Sequence, residues 1–240
     1  MANPTAAMLV IGDEILSGRT RDANMHHLAG AFTQIGIDLK EVRVISDDHS
    51  AIVAAARSLS KQFDHVVTSG GIGPTHDDIT ADAIADAFHV SIDVREDAYA
   101  ILKNYYAEKN IELNEARSRM ARIPQNASLI DNPVSGAPGF TLENVHVLAG
   151  VPRIFQAMLE NVIATLKGGS PILSETLKIL QGEGDIAKQL SAVSDAFQDV
   201  SFGSYPFQED GRHGTNIVMR GPDPERLTRA KSELIEKLEL

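Results

Sequence analysis

The residues best suited to chemistry lie in one stretch, Thr68-Ser69-Gly70-Gly71-Ile72-Gly73-Pro74-Thr75-His76-Asp77-Asp78-Ile79-Thr80. Glycines at 70, 71 and 73 leave no Cβ to keep a ligand away from the backbone. A helix start adds unpaired N–H groups with partial positive charge, so the stretch suits a phosphate. Asp77 and Asp78 stand at that same helix start. A phosphate beside two carboxylates is repelled unless a cation or a proton intervenes, which points to an anionic ligand bound with a metal ion. The competing reading is ordinary helix chemistry, with Thr75, Asp77, Asp78 and Thr80 supplying an N-cap and favourable first-turn charges.

Such a loop has to be held by a strand before it and a helix after it. His65-Val66-Val67 is a short apolar run, and Ile79, Ala83, Ile84, Ala87 and Phe88 keep helical spacing. Upstream, Ala6 to Ile11 is continuously apolar, as in a central strand covered on both faces. A helix with Met25, Leu28, Ala29, Phe32 and Ile35 inward follows, capped by Thr20 or Asp22 and ended by Gly36. A strand from Leu39 to Ile45 comes next, then a helix with Ile52, Ala55, Ala56, Leu59 and Phe63 inward. This alternation predicts parallel βαβ units with right-handed crossovers.

Downstream, helical spacing runs from Glu96 to Arg122, with Tyr99, Ile101, Leu102, Tyr105 and Tyr106 as its apolar set, and Pro124 stops it. The turn-rich segment from Ala127 to Gly139 is long enough to cover a site. Val145 to Leu148 reads as a strand, and Pro152 suits the first position of the next helix. Lys167-Gly168-Gly169-Ser170-Pro171 reads as a boundary. The expected organisation is an α/β domain over residues 1–168 and a small α+β domain over 169–240.

In an open parallel α/β sheet, ligands bind just outside the carboxyl ends of the strands. The loops expected there carry Asp13, Glu14, Asp47, Asp48, Asp77 and Asp78. Carboxylate oxygens beside a glycine loop suit magnesium, manganese or another hard cation. Asp13, directly after a strand, and Asp78, at a helix start, are the candidates for ligating a metal or positioning water. Glu14 and Asp77 either share that work or face solvent, and Asp47 and Asp48 read as helix caps. Asn24 either hydrogen-bonds a heterocycle or ribose, or is structural. The loop lacks the lysine of a P-loop and the spacing of a dinucleotide-binding turn, and Ser69 has no nucleophile-elbow context.

Composition narrows the classes. A net charge of -11 argues against a nucleic-acid partner. Arg117, Arg119 and Arg122 are the nearest thing to a basic patch, and on a helix only Arg119 and Arg122 share a face, which reads first as a solvated surface. The absence of cysteine excludes disulfides, thiolate metal sites and cysteine nucleophiles. No apolar run is long enough for a membrane span or signal peptide, so a cytoplasmic protein is expected.

Ile11-Gly12-Asp13-Glu14-Ile15-Leu16, Asp22-Ala23-Asn24, Gly70-Gly71-Ile72-Gly73-Pro74-Thr75-His76-Asp77-Asp78-Ile79-Thr80, Gly136-Ala137-Pro138-Gly139-Phe140 and Gly150-Val151-Pro152 together resemble the molybdopterin-binding domain family. Within that family they are most similar to the amino-terminal part of competence/damage-inducible protein A and to the molybdopterin-binding-like half of eukaryotic FAD synthase. Gly203-Ser204-Tyr205-Pro206 looks like the segment that follows this domain in both. The resemblance implies a three-layer α/β domain with a mostly parallel sheet and a nucleotide or adenylyl-pterin site. It also implies metal-dependent cleavage of a pyrophosphate bond in ADP-ribose or FAD, with cobalt or another divalent ion and potassium, and a homo-oligomer. Binding of molybdopterin or its adenylyl form without hydrolysis, and nucleotide sensing, are the alternatives. The candidates are therefore Asp78 and Asp13 for catalysis, Asp13, Asp77 and Asp78 for metal, and Gly12, Asn24, Gly70, Gly71, Gly73, Pro74, Thr75 and Thr80 for the ligand. The sequence ends at Leu240 with no counterpart of the amidase or nucleotidyl-transferase parts of these relatives, so nicotinamide-mononucleotide deamidation and FAD synthesis are not expected.

Overall fold

Ala6 to Ile11 contains no polar side chain because both faces of its strand are covered. In the computed structural model, which describes residues 2–209 and 211–240, β1 (Thr5–Ile11) turns Ala7, Leu9 and Ile11 into one core. Ala6, Met8 and Val10 point into the other. The period of two along a strand thus builds two hydrophobic layers from one apolar run.

After β1 come α1 (Asp13–Leu16), α2 (Asn24–Gln34), β2 (Asp38–Ile45), α3 (His49–Gln62), β3 (His65–Ser69) and α4 (Thr80–Ala87). They are followed by β4 (Ile92–Val94), α5 (Glu96–Glu108), α6 (Glu115–Ser118), β5 (Arg122–Pro124), β6 (Ser128–Ile130), β7 (Gly139–Leu142), β8 (Val145–Leu148) and α7 (Pro152–Ile163). The main sheet has the order β2-β1-β3-β8-β7-β6. Its first four strands run parallel, and β7 and β6 complete it antiparallel. Leu28 and Phe32 of α2 pack with Phe155, Met158 and Leu159 of α7 on one face. Ile52 and Leu59 of α3, Ile84 of α4 and Leu102 of α5 cover the other. Leu28 and Phe32 are wholly buried, and each contributes roughly 1.5–3 kcal/mol, enough to dock a helix too short to persist alone. The domain is a three-layer α/β fold with a mostly parallel sheet, as expected.

Local signals set the ends. Gly36 takes φ +68 where α2 stops, and Asp48 caps α3 by accepting from the Ala51 N–H at 2.8 Å. The expected helix from Glu96 to Arg122 is shorter: α5 stops before Asn110, whose φ is +54, and Arg119–Ala121 is a 3-10 turn leading into β5. In α5 it is Ala98 and Leu102 that are buried, whereas Tyr99 and Ile101 are exposed. Met25 shares the stripe of Leu28 and Phe32 but is 41% exposed, because it falls in the first turn of α2, level with the strand ends.

A compact unit closes at Gly169, and a second runs from Ser170 to Leu240. The second contains β9 (Leu173–Ile179), α8 (Glu183–Ala196), β10 (Ser201–Glu209), β11 (Arg212–Gly221) and α9 (Pro224–Lys237). Its sheet, β10-β11-β9, is antiparallel throughout. Ile217 and Met219 of the sheet pack on Ile186 and Val193 of α8 and on Leu227, Ala230 and Leu234 of α9. Among the described residues no helix is long and apolar enough to cross a membrane.

Candidate active site

Three chain turns meet where the parallel strands end, and glycine makes the meeting sterically possible. Gly70 leaves β3 with φ +110, and a Cβ on it would stand 2.2 Å from the Ile11 carbonyl oxygen at the end of β1. A Cβ on Gly150, after β8, would lie 3.2 Å from Gly70 Cα. The Gly70 N–H donates to Leu148 O at 3.2 Å. Thr80 then ties the loop back: its hydroxyl donates to Gly70 O at 3.0 Å, and its N–H donates to Gly71 O at 3.0 Å.

Around this junction lies a crevice of about 610 Å³, within the range of small-molecule sites. Of the expected residues, Gly12, Gly70, Gly71, Gly73, Pro74, Asp77 and Asp78 face it. Asp78 precedes α4 instead of opening it. Its Oδ2 accepts from the Thr75 N–H at 2.8 Å and from the Thr75 hydroxyl at 2.6 Å, so the carboxylate is fixed in a tight turn before the helix. Asp77 is exposed, and its carboxyl is held below the ordinary value by the Thr75 hydroxyl first, then by its own N–H and by His76. That hydroxyl has one proton, and its 2.6 Å contact is with Asp78, so Asp77 feels the weaker share.

Four expected residues are placed otherwise. Asp13 is exposed and outside the crevice lining; its N–H donates to Asp47 Oδ2 at 2.9 Å. Glu14 faces the crevice instead, with its carboxylate folded over Gly12, where a Cβ would stand 2.5 Å from Oε2. One step along a helical turn rotates the side chain by about 100° and exchanges the two acids. Thr75 serves Asp78, and Thr80, wholly buried, locks the loop. Asn24, 3% exposed, donates through Nδ2 to Ser69 Oγ at 2.7 Å and to Gly150 O at 2.8 Å. It clamps two strand ends together, and its Oδ1 is buried with no partner among the described residues. His76, with a fully exposed side chain, is a plain loop histidine.

Asp47, which reads as a helix cap in the sequence, faces the crevice with Glu14. Asn132 and Ser135, within the turn-rich segment expected to cover a site, line the same crevice, although the sequence singles out neither as a site residue. The turn-rich segment is a rigid wall: Asn132 Oδ1 accepts from the Val134 and Ser135 N–H groups, and its Nδ2 donates to Ser135 Oγ and Ala137 O. Tyr105 secures the segment through its hydroxyl to Val134 O at 2.9 Å.

Among the described residues no three acidic or histidine side chains converge as a ready ligand set, so Asp13, Asp77 and Asp78 are not a preformed cage. Carboxylates of Glu14, Asp47, Asp77 and Asp78 nonetheless line one crevice. That donor set fits a hard cation of the magnesium type, which takes one or two carboxylates and completes its shell with water and substrate phosphate.

Comparison with known proteins agrees with this architecture. A family model described as probable molybdopterin binding domain matches residues 7–168, and one described as FAD synthase, middle domain, matches 171–240. The chain is 33% identical to a probable FAD synthase of Caenorhabditis elegans over 98% of this chain and 50% of that protein. It is 32% identical to a protein of Archaeoglobus fulgidus over 96% of each. It thus spans about half the length of the FAD synthase relatives it matches. The crystal structure of CinA from Thermoplasma acidophilum, itself of unknown function, aligns with a TM-score of 0.60 and 35% identity, over 65% of this chain and 94% of that one. With its three layers and its glycine-loop crevice, the chain belongs to the molybdopterin-binding domain family.

Proposed function

We propose that the crevice hydrolyses the pyrophosphate bond of a nucleoside diphosphate-linked compound, with ADP-ribose and FAD as the first substrates to try. The observation that carries this reading is that glycine backbone and four carboxylates line one nucleotide-sized crevice at the carboxyl ends of parallel strands. A divalent cation, cobalt, magnesium or manganese, with potassium as an accessory ion, would be held by Asp77 and Asp78 with Glu14 and Asp47 nearby. Such a cation supplies neutralisation of phosphate charge and acidifies water. Asp78 orients the attacking water, because its two bonds from Thr75 leave the carboxylate one orientation. Asp77, held below the ordinary carboxylate range, stays ionised at neutral pH. The Gly70 N–H is committed to Leu148, so backbone contacts to the pyrophosphate fall to Gly71 and Gly73.

Incubation with ADP-ribose or FAD and each metal in turn, followed by resolution of AMP, tests the reading. AMP appears with at least one metal, and none with any of them refutes it. Asp78→Asn is expected to lose about 100-fold or more of the rate; full activity would remove the role given to Asp78. A second reading, binding of molybdopterin or its adenylyl form without hydrolysis, is supported by the description of the matching family. It predicts metal-independent pterin binding, followed by pterin fluorescence, with no AMP released.

A further inference from the structure

A ligand bearing phosphate or sugar is held by hydrogen-bond donors, and the crevice has no lysine or arginine among its lining residues. Its lining side chains able to donate are those of Thr20, Tyr106, Asn132 and Ser135. Asn132 has committed both amide hydrogens, to Ser135 Oγ and to Ala137 O. The Ser135 hydroxyl is engaged by that bond as an acceptor. Thr20 is exposed, and no hydrogen bond among the described residues fixes its hydroxyl in one rotamer. Tyr106 combines a fixed position with a free hydroxyl.

Helical spacing groups Tyr105 and Tyr106 in one apolar set, but neighbours on a helix point about 100° apart. Tyr105 turns to the 132–137 segment: its hydroxyl donates to Val134 O at 2.9 Å, and a Cβ on Gly136 would stand 2.3 Å from its Cγ. Tyr106 turns to the crevice. Its ring packs on the core behind it, has Arg117 Cζ 5.2 Å from its centroid, and meets the Tyr105 ring edge-on at 5.5 Å and 89°. With those sides of the ring covered, what remains to line the crevice is the rim that ends in the hydroxyl. Among the described residues that hydroxyl has no partner, and it is not among the buried polar atoms left without one, so it is open to solvent. Ligand pockets characteristically set a few fixed polar groups in such apolar walls, and a braced phenol presents its donor at little entropic cost. We propose that Tyr106 is a ligand-binding residue whose phenolic O–H donates to an acceptor oxygen of the ligand, a phosphoryl oxygen or a ribose hydroxyl. The inference rests on reading the crevice as a nucleotide site and gives that site a neutral side-chain donor.

Pyrophosphate and ADP-ribose titrated calorimetrically into the full chain, in the presence of magnesium, test it. Tyr106→Phe removes the hydroxyl alone and keeps every ring contact, so its melting temperature stays that of the wild type. It is expected to bind ADP-ribose about fivefold or more weakly. A loss shared with pyrophosphate assigns the bond to a phosphoryl oxygen, and a loss confined to ADP-ribose assigns it to the ribose. Tyr105→Phe is the control for rigidity: it strands Val134 O and loosens the 132–137 segment while leaving the Tyr106 hydroxyl in place. It should melt lower yet bind ADP-ribose nearly as the wild type does. If Tyr106→Phe binds both ligands like the wild type, the hydroxyl serves water only and the proposal is overturned. A Tyr105→Phe variant that weakens binding as much, or a wild type that binds neither ligand, also overturns it. Turnover is scored separately. A wild type that binds through Tyr106 but releases no AMP leaves this inference standing and refutes the hydrolase. AMP release together with unimpaired binding by Tyr106→Phe does the reverse.

Discussion

Gly18 and Gly71 share a backbone conformation, with φ +71 and +70, and differ in their surroundings. A Cβ at Gly18 would meet nothing within 4 Å, whereas one at Gly71 would lie 2.1 Å from Thr80 Oγ1. Alanine at each position separates backbone strain from obstruction. The left-handed conformation costs an L-residue about 1–2 kcal/mol and applies to both. At Gly71 the Thr80 hydroxyl must also yield. Thr80 is wholly buried, stiff at χ1, and bonded to Gly70 O at 3.0 Å. Moving it leaves a buried carbonyl unpaired, a further cost of about 1–3 kcal/mol. Gly18→Ala should therefore destabilise by about 1–2 kcal/mol and Gly71→Ala by about 2–5 kcal/mol. For a unit of this size the gap corresponds to about 2–12 °C in melting temperature. Thr80→Ala removes the obstructing atom, so the double variant with Gly71→Ala should cost less than the sum of the singles. Urea midpoints followed by far-UV circular dichroism give these differences. Midpoints for Gly18→Ala and Gly71→Ala that agree within about 0.5 kcal/mol would refute the claim that Thr80 locks the loop.

Two further outcomes are expected. His146, 5% exposed, has its pKa pushed down from 6.5 to about 4, first by burial and then by His65, with the Thr141 hydroxyl 3.0 Å from its Nδ1. Since the folded value lies below the unfolded one, the unfolded chain takes up the proton first as pH falls. Stability is full above about pH 6.5 and drains toward pH 4, by about 3 kcal/mol over the whole span. Urea midpoints should fall from pH 7 to 5 and less so in His146→Gln, a window above the range where carboxylates contribute their own losses; a flat wild-type profile contradicts this. Asn24→Ala strands the Ser69 hydroxyl and the Gly150 carbonyl and should cost about 1–3 kcal/mol without any ligand present; an unchanged melting curve would return Asn24 to the ligand.

The legible parts of the fold were those specified by neighbours in the chain. The unbroken apolar run of β1, Gly36 at the end of α2 and Asp48 at the start of α3 act within one turn or one strand. β4, β5 and β6, three residues each, are too short to show a period of two. The overlong helix from Glu96 failed because helical spacing persists in the sequence past Asn110, where the backbone reverses. At the site, residues whose chemistry is that of the backbone, Gly12, Gly70, Gly71, Gly73 and Pro74, could be placed from sequence. Asn24, Thr75 and Thr80 could not, since a polar side chain beside a ligand and one that braces the loop look identical in sequence.

The sequence alone determined that parallel strands alternate with helices and that acids and glycines follow those strands, because apolar period and turn chemistry are local properties. Only the tertiary structure decided that Glu14 and Asp47, not Asp13, face the crevice, and that Arg119 and Arg122 stand beside Asp78. The first outcome depends on the rotation of one helical turn. The second depends on contacts between residues some forty positions apart, which no local spacing records.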